Sequence, residues 1–266
     1  MIDIDGFRNY LYEEELSKNT VATYIKGLEM YAERYNEITK PNLIEFKRYL
    51  MDNFKPQTVN LRITALTNYC KYKGLPERIK LVKEQKKTHV ENIITEGQYK
   101  KLMHCLKKDN NQRWYYNILL LAKTGMRISE ALRVTKKDIL MGKVTMHSKG
   151  HMRTIYFPKS LIEEMKDYLK RFDDNEIVMQ NHWGKPITSR GVSGKLQGFA
   201  KLYDIPKENL HPHAFRHFFA IEFLKRNSNI ALLADLLGHS SVKMTQIYLR
   251  QSQEQQQQAV DKAVNW

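Results

Sequence analysis

Residues 77–92 read ERIKLVKEQKKTHVEN, and this stretch does most to constrain how the chain can fold. It is polar, basic and poorly periodic, and so reads as an interdomain linker. The sequence on either side is strongly periodic. The chain therefore reads as two domains, 1–76 and 93–266, joined by a linker over 77–92. A length of 266 residues lets such a chain bury real core without staples. Arg78, Lys80, Lys83, Lys86, Lys87 and His89 could track a phosphate backbone; a solvated charged face fits the same residues.

The first 75 residues carry helical signals only. A helix is expected over 5–16. Ser17 or Asn19 can cap a second, in which Val21, Tyr24, Ile25, Leu28 and Tyr31 share a face. Pro41 stands at the start of a third, with Leu43, Phe46, Tyr49 and Leu50 on one side. Thr58 opens a fourth, closed by Gly74 and Pro76. In the second domain Thr95 and Gln98 have the spacing of a capping box. An apolar helix spans 112–123 and ends at Gly125. Ile139–Ser148 and Met152–Phe157 read as a hairpin turning at Lys149-Gly150. Helices follow over 160–171, 188–203, 212–226 and 229–237, the last stopped by Gly238. Ser241 can cap a short helix through Tyr248.

Lys and Arg number 44 against 29 Asp and Glu, a net charge of +15. A surplus of that size suits a polyanion, because each cation laid on a phosphate releases a condensed counterion. Only Cys70 and Cys105 are present, far apart, which disfavours a disulfide framework or a cysteine zinc site and points to a reduced, cytoplasmic setting. The acidic opening MIDIDGFRNYLYEEEL has no apolar signal core. The longest apolar run, at 118–122, is far too short for a membrane span.

Four islands in the second domain could carry chemistry. In TGMRISEAL (124–132), Arg127 follows a helix-breaking glycine, and Glu130 lies within reach of its guanidinium. The pair can hold an anion or simply brace the turn. In SKGHMRTIYF (148–157), Lys149 at a hairpin tip can reach into a groove or stay solvated. In HPHAFRHFF (211–219), His213 and Arg216 share a helix face. His211, His213 and His217 also invite a zinc reading, but no H-E-x-x-H pattern or acidic third ligand accompanies them. In LLGHSSVKMTQIYL (236–249), His239 follows a glycine and Tyr248 comes nine residues later. Read by itself, 229–248 is also a helix-turn-helix, the reading head of a non-catalytic DNA-binding regulator.

The ordered set Arg127, Lys149, His213-x-x-Arg216, His239 and Tyr248 resembles the tyrosine recombinase (phage integrase) family. The similarity covers the whole second domain, and the helical first domain resembles the family's core-binding domain. Phe215 stands where leucine is commoner, a departure that leaves the chemistry untouched. The resemblance implies a mainly α fold of two domains: a helical core-binding domain, and a mixed α/β catalytic domain with a small antiparallel sheet, the two closing around duplex DNA. It implies that Arg127, Arg216 and His239 neutralise a scissile phosphate and that Tyr248 attacks it. Lys149 then protonates the leaving 5′-oxygen, His213 assists proton transfer near the tyrosine, and Glu130 orients Arg127.

No cofactor or metal is expected: the chain has no glycine-rich phosphate loop and no acidic cluster for paired Mg²⁺ ions. The implied partners are double-stranded DNA carrying specific recombination sites and further copies of the chain, four on two sites passing through a Holliday junction. The absence of an added N-terminal arm-binding domain leans towards an Xer-like or transposon-type enzyme. A relaxing topoisomerase of the related tyrosine type is a further alternative. The tail 251–266, with Ala259, Ala263 and Trp266 on one helical face, is expected to pack on a neighbouring subunit.

Overall fold

The computed structural model describes residues 2–84, 92–148, 151–239, 241–249, 261 and 264. The chain divides into two compact units, 1–86 and 87–266.

The first unit holds four helices: α1 (Ile4–Glu13), α2 (Lys18–Ala32), α3 (Lys40–Asn53) and α4 (Pro56–Tyr72). Each start has a local cause. The side chains of Asp3, Ser17 and Thr39 accept the backbone N–H of Gly6, Thr20 and Asn42, and Pro56 sits where no helical N–H is needed. The fourth helix thus begins two residues before Thr58. Phe7, Leu11, Leu28, Tyr31, Phe46, Leu50 and Ile63 fill the core between the helices. The segment read as a linker from Glu77 begins as a strap on this unit. Leu75, Ile79 and Val82 pack against the core, and the Val82 amide donates to Asn60 Oδ1 at 2.7 Å. Their i, i+4, i+7 spacing would suit a helix, yet residues 75–84 form no regular secondary structure. Residues 85–91 lie outside the described residues.

The second unit is built around α6 (Gln112–Thr124), in which Ile118, Leu119, Leu120 and Leu121 are all buried. A helix apolar all round must be wrapped on every side. Around it stand α5 (Glu96–Lys108), α9 (Lys159–Leu169) and α11 (Pro212–Arg226). The capping box of Thr95 and Gln98 is formed at the start of α5. Two short helices, α7 (Ile128–Ala131) and α8 (Lys136–Leu140), lead into an antiparallel pair, β1 (Lys143–Ser148) and β2 (His151–Tyr156). The strand expected from Ile139 therefore starts four residues late. Thr135 and Asp138 form a capping box that winds 136–140 into a helix before the hairpin can begin. The rest is α10 (Ser189–Leu202), α12 (Ile230–Leu237), α13 (Val242–Thr245) and 3₁₀ turns at Lys207–Asn209 and Gln246–Leu249. Among the described residues no helix is long and apolar enough to cross a membrane. Of the tail 251–266, expected to dock in trans, only Asp261 and Val264 are among the described residues.

Candidate active site

The site starts at a glycine. Gly125 ends α6 in the left-handed conformation (φ +60°), and a Cβ placed there would come within 2.4 Å of the Phe219 ring. Gly125→Ala should therefore lose about 1–3 kcal/mol or more of stability, since left-handed strain adds to the clash. Urea unfolding reads this directly, and an unchanged midpoint would contradict the close approach.

Past this turn Arg127 occupies the N-cap of α7. Glu130, fully buried, accepts the Arg127 amide at 2.7 Å with one carboxylate oxygen and Nη1 at 3.1 Å with the other. Charge-assisted bonds in a dry setting hold a side chain firmly. Arg127 Nη2 reaches across to the Gly238 carbonyl at 2.9 Å.

Arg216 lies on α11, whose start is fixed by Pro212 and by His211 Nδ1 accepting the Ala214 amide. Its guanidinium is buried and donates to the Gly125 carbonyl at 2.9 Å and the Leu237 carbonyl at 2.5 Å. Burial, then the nearby charges of Arg127 and Arg153, bring its pKa down to about 9. It still carries its charge at neutral pH.

Leu237 and Gly238 close α12, with Gly238 left-handed at φ +61°. The negative end of a helix dipole attracts cations, and three arginines converge on these two carbonyls. The third is Arg153 of β2. Its Nη1 donates to Leu237, and it lies 3.7 Å from Glu130 Oε2, while its Nε and Nη2 are buried without a hydrogen-bond partner among the described residues. Sequence reasoning missed Arg153, although a signal was present. It shares a strand face with the buried Ile155, whereas Met152 and Tyr156 on the other face are exposed.

His239 follows Gly238, and its Nδ1 lies 2.7 Å from the buried Thr245 hydroxyl. Burial, then Arg216 and Arg127, lower its pKa to about 4, so it is neutral near pH 7. The Ser241 side chain accepts the Lys243 amide at the start of α13, and the 3₁₀ turn that follows carries Tyr248. The Tyr248 ring packs with Phe219, Phe223 and Leu224 against Ala220, Leu233 and Leu237. Burial raises the phenol's pKa and Arg216 pulls it back. The Tyr248 oxygen is 2.7 Å from Nδ1 of His217.

Sequence reasoning set His213 beside the tyrosine; in the structure His217 is there. His213 is exposed, its ring 4.4 Å from that of His217 and nearly perpendicular. The 3₁₀ turn packs on α11 about one turn beyond His213, a consequence of chain packing that spacing does not reveal. Arg127, Arg153, Gly238 and His239 line a cleft of about 630 Å³. Lys149 lies outside the described residues, between the ends of β1 and β2. The three histidines considered for zinc do not form a ligand set: among the described residues no group of three His, Cys, Asp or Glu could hold a metal ion. Segment 229–248 does not make a reading head, because its second helix has four residues and its tyrosine turns inward.

Residues 92–255 match the phage integrase family. The chain is similar to the tyrosine recombinase XerA of Pyrococcus furiosus, 30% identical over 271 residues that cover 98% of this chain and 93% of that one. It is also similar to the tyrosine recombinase XerC of Lacticaseibacillus casei, 27% identical over 281 residues and 93% of each chain. Among solved structures, the XerA recombinase crystal structure superposes with a TM-score of 0.55 at 22% identity, covering 97% of this chain and 96% of that one. A lambda integrase dimer bound to a COC′ core site gives 0.76 at 17% identity, covering 94% of each.

Proposed function

The chain belongs to the phage integrase family, and on that premise we propose that it is a site-specific tyrosine recombinase, cutting and rejoining double-stranded DNA through a 3′-phosphotyrosyl intermediate on Tyr248. The observation that carries this reading is the meeting of Arg127, Arg216, His239 and Tyr248, drawn from separate segments, around the end of α12. Arg127 and Arg216 bring fixed positive charge to the non-bridging oxygens, and the planar guanidinium matches a phosphate's paired oxygens. His239 is neutral; with Nδ1 held by Thr245, its Nε2–H donates a third hydrogen bond without adding charge. Glu130 keeps Arg127 in place. Lys149 protonates the leaving 5′-oxygen as the Tyr248 oxygen bonds to phosphorus. The phosphotyrosyl ester retains the energy of the broken bond, so rejoining needs no nucleotide. By family resemblance the working unit is a tetramer on two sites, passing through a Holliday junction.

The test begins with DNA recovered covalently from cells that express the protein, which yields its site. A nicked oligonucleotide carrying that site, incubated in EDTA without nucleotide, should give a covalent adduct on a denaturing gel, mapped by mass spectrometry to Tyr248. Strict Mg²⁺ dependence of cleavage on pre-bound DNA, or an adduct on another residue, would refute the mechanism.

A further inference from the structure

We propose that His217 accepts the phenolic proton of Tyr248 during cleavage and returns it during rejoining; the proposal rests on Tyr248 being the nucleophile. His217 Nδ1 lies 2.7 Å from the Tyr248 oxygen, within the range for direct proton transfer. Tyr248 packs on the small apolar cluster of Ala220, Leu233 and Leu237, and both it and His217 are half-buried. His217 is in direct hydrogen-bond contact with the Tyr248 hydroxyl and so is placed to take its proton.

The electrostatics agree with the geometry. Burial holds the phenol's pKa up, so the hydroxyl does not ionise by itself near neutral pH. Burial, followed by His213, His211, Arg216 and His239, lowers the His217 pKa to about 3. His217 is therefore unprotonated, and in its Nε2–H tautomer Nδ1 offers a lone pair to the Tyr248 O–H. Such a base is too weak to ionise a free phenol beforehand. It has no need to, because the tyrosine oxygen becomes acidic as it bonds to phosphorus, and the proton moves late. The groups facing His217 are His213 and Arg216 on its own helix, His211 before that helix, His239 from the turn after α12, and Tyr248. When a phosphodiester enters beside Arg216 and His239, its negative charge offsets the Arg216 charge, which lowers the His217 pKa less than burial does. His217 then gains basicity as the proton is transferred.

The step balances. The Tyr248 oxygen forms a bond to phosphorus and the bond from phosphorus to the 5′-oxygen breaks. The phenolic proton passes to His217 Nδ1, giving an imidazolium, and the 5′-oxygen takes a proton from Lys149. In rejoining, the 5′-hydroxyl attacks phosphorus and yields its proton to Lys149, while the imidazolium returns its proton to the departing Tyr248 oxygen. No metal, oxidant or second substrate is consumed.

The experiment uses the full-length chain on its nicked site oligonucleotide under single-turnover conditions. His217→Gln and the smaller His217→Asn are made in parallel, with folding checked by circular dichroism and binding by gel shift. Both side chains can accept a hydrogen bond, and neither can take the proton. Cleavage should fall by about 10²–10⁴-fold, the usual contribution of a positioned base, with DNA affinity unchanged. Replacing Tyr248 with a fluorinated tyrosine of more acidic phenol should raise cleavage by the His217 variants at least tenfold relative to the same variants with ordinary tyrosine. A 5′-bridging sulfur in the DNA, which removes the need for leaving-group protonation, should not restore them. A loss under tenfold in a folded variant would overturn the proposal, as would absence of restoration by the fluorinated tyrosine; in the second case His217 only orients the ring. Either failure leaves the parent adduct on Tyr248 intact, which separates it from failure of the nucleophile assignment.

Discussion

Tyr248→Phe should bind DNA as the parent chain does and form no covalent adduct. The ring is retained, so its packing with Phe219, Phe223 and Leu224 on the cluster of Ala220, Leu233 and Leu237 survives. What disappears is the one oxygen able to attack phosphorus. Stability should change by about 1 kcal/mol, because His217 Nδ1 loses its 2.7 Å partner at a half-buried position. Gel shifts on the intact site and denaturing gels on the nicked one separate binding from chemistry. An adduct that persisted in the variant would remove Tyr248 as the nucleophile.

Arg216→Lys should retain most DNA affinity and cleave about 10²–10³-fold more slowly, the cost of removing one preorganised donor from a developing oxyanion. Positive charge is kept, but the fork is lost. In the structure Arg216 spans two carbonyls, those of Gly125 and Leu237, with two different nitrogens. A single ammonium cannot serve both and still meet a phosphate. Thermal unfolding should also drop, because the Gly125 carbonyl loses a donor inside the protein. Single-turnover cleavage of pre-bound DNA is the measurement, and a rate equal to that of the parent would mean that Arg216 serves the fold alone.

The first of these expectations needed only the sequence, and the second needed the structure. Tyr248 stands at a fixed interval after His239, and the order of its neighbours from Arg127 onward could be read along the chain. That Arg216 bridges two carbonyls depends on where Gly125 and Leu237 meet. The same division runs through the fold. Ser17 and the Thr95–Gln98 box mark helix starts because a cap bonds three residues away. The late start of β1 was open to the same reasoning, since Thr135 and Asp138 are also three apart and their box was overlooked.

By itself the sequence determined the helical first unit, the hairpin-bearing second unit, the glycines that end α6 and α12, and which residue types could perform phosphoryl transfer. All of these rest on short-range interactions, where spacing along the chain and distance in space are nearly the same. Only the tertiary structure decided that Arg153 joins Arg127 and Arg216 at the end of α12, that 75–84 straps the first unit, and that His217 meets the tyrosine oxygen. Arg153 and Leu237 are 84 positions apart, and His217 and Tyr248 are 31 apart. Which of two histidines on one helical face touches the tyrosine is set by how far along α11 the last 3₁₀ turn packs. That level is fixed by apolar contacts of Phe219, Phe223 and Leu224, and no local period encodes it.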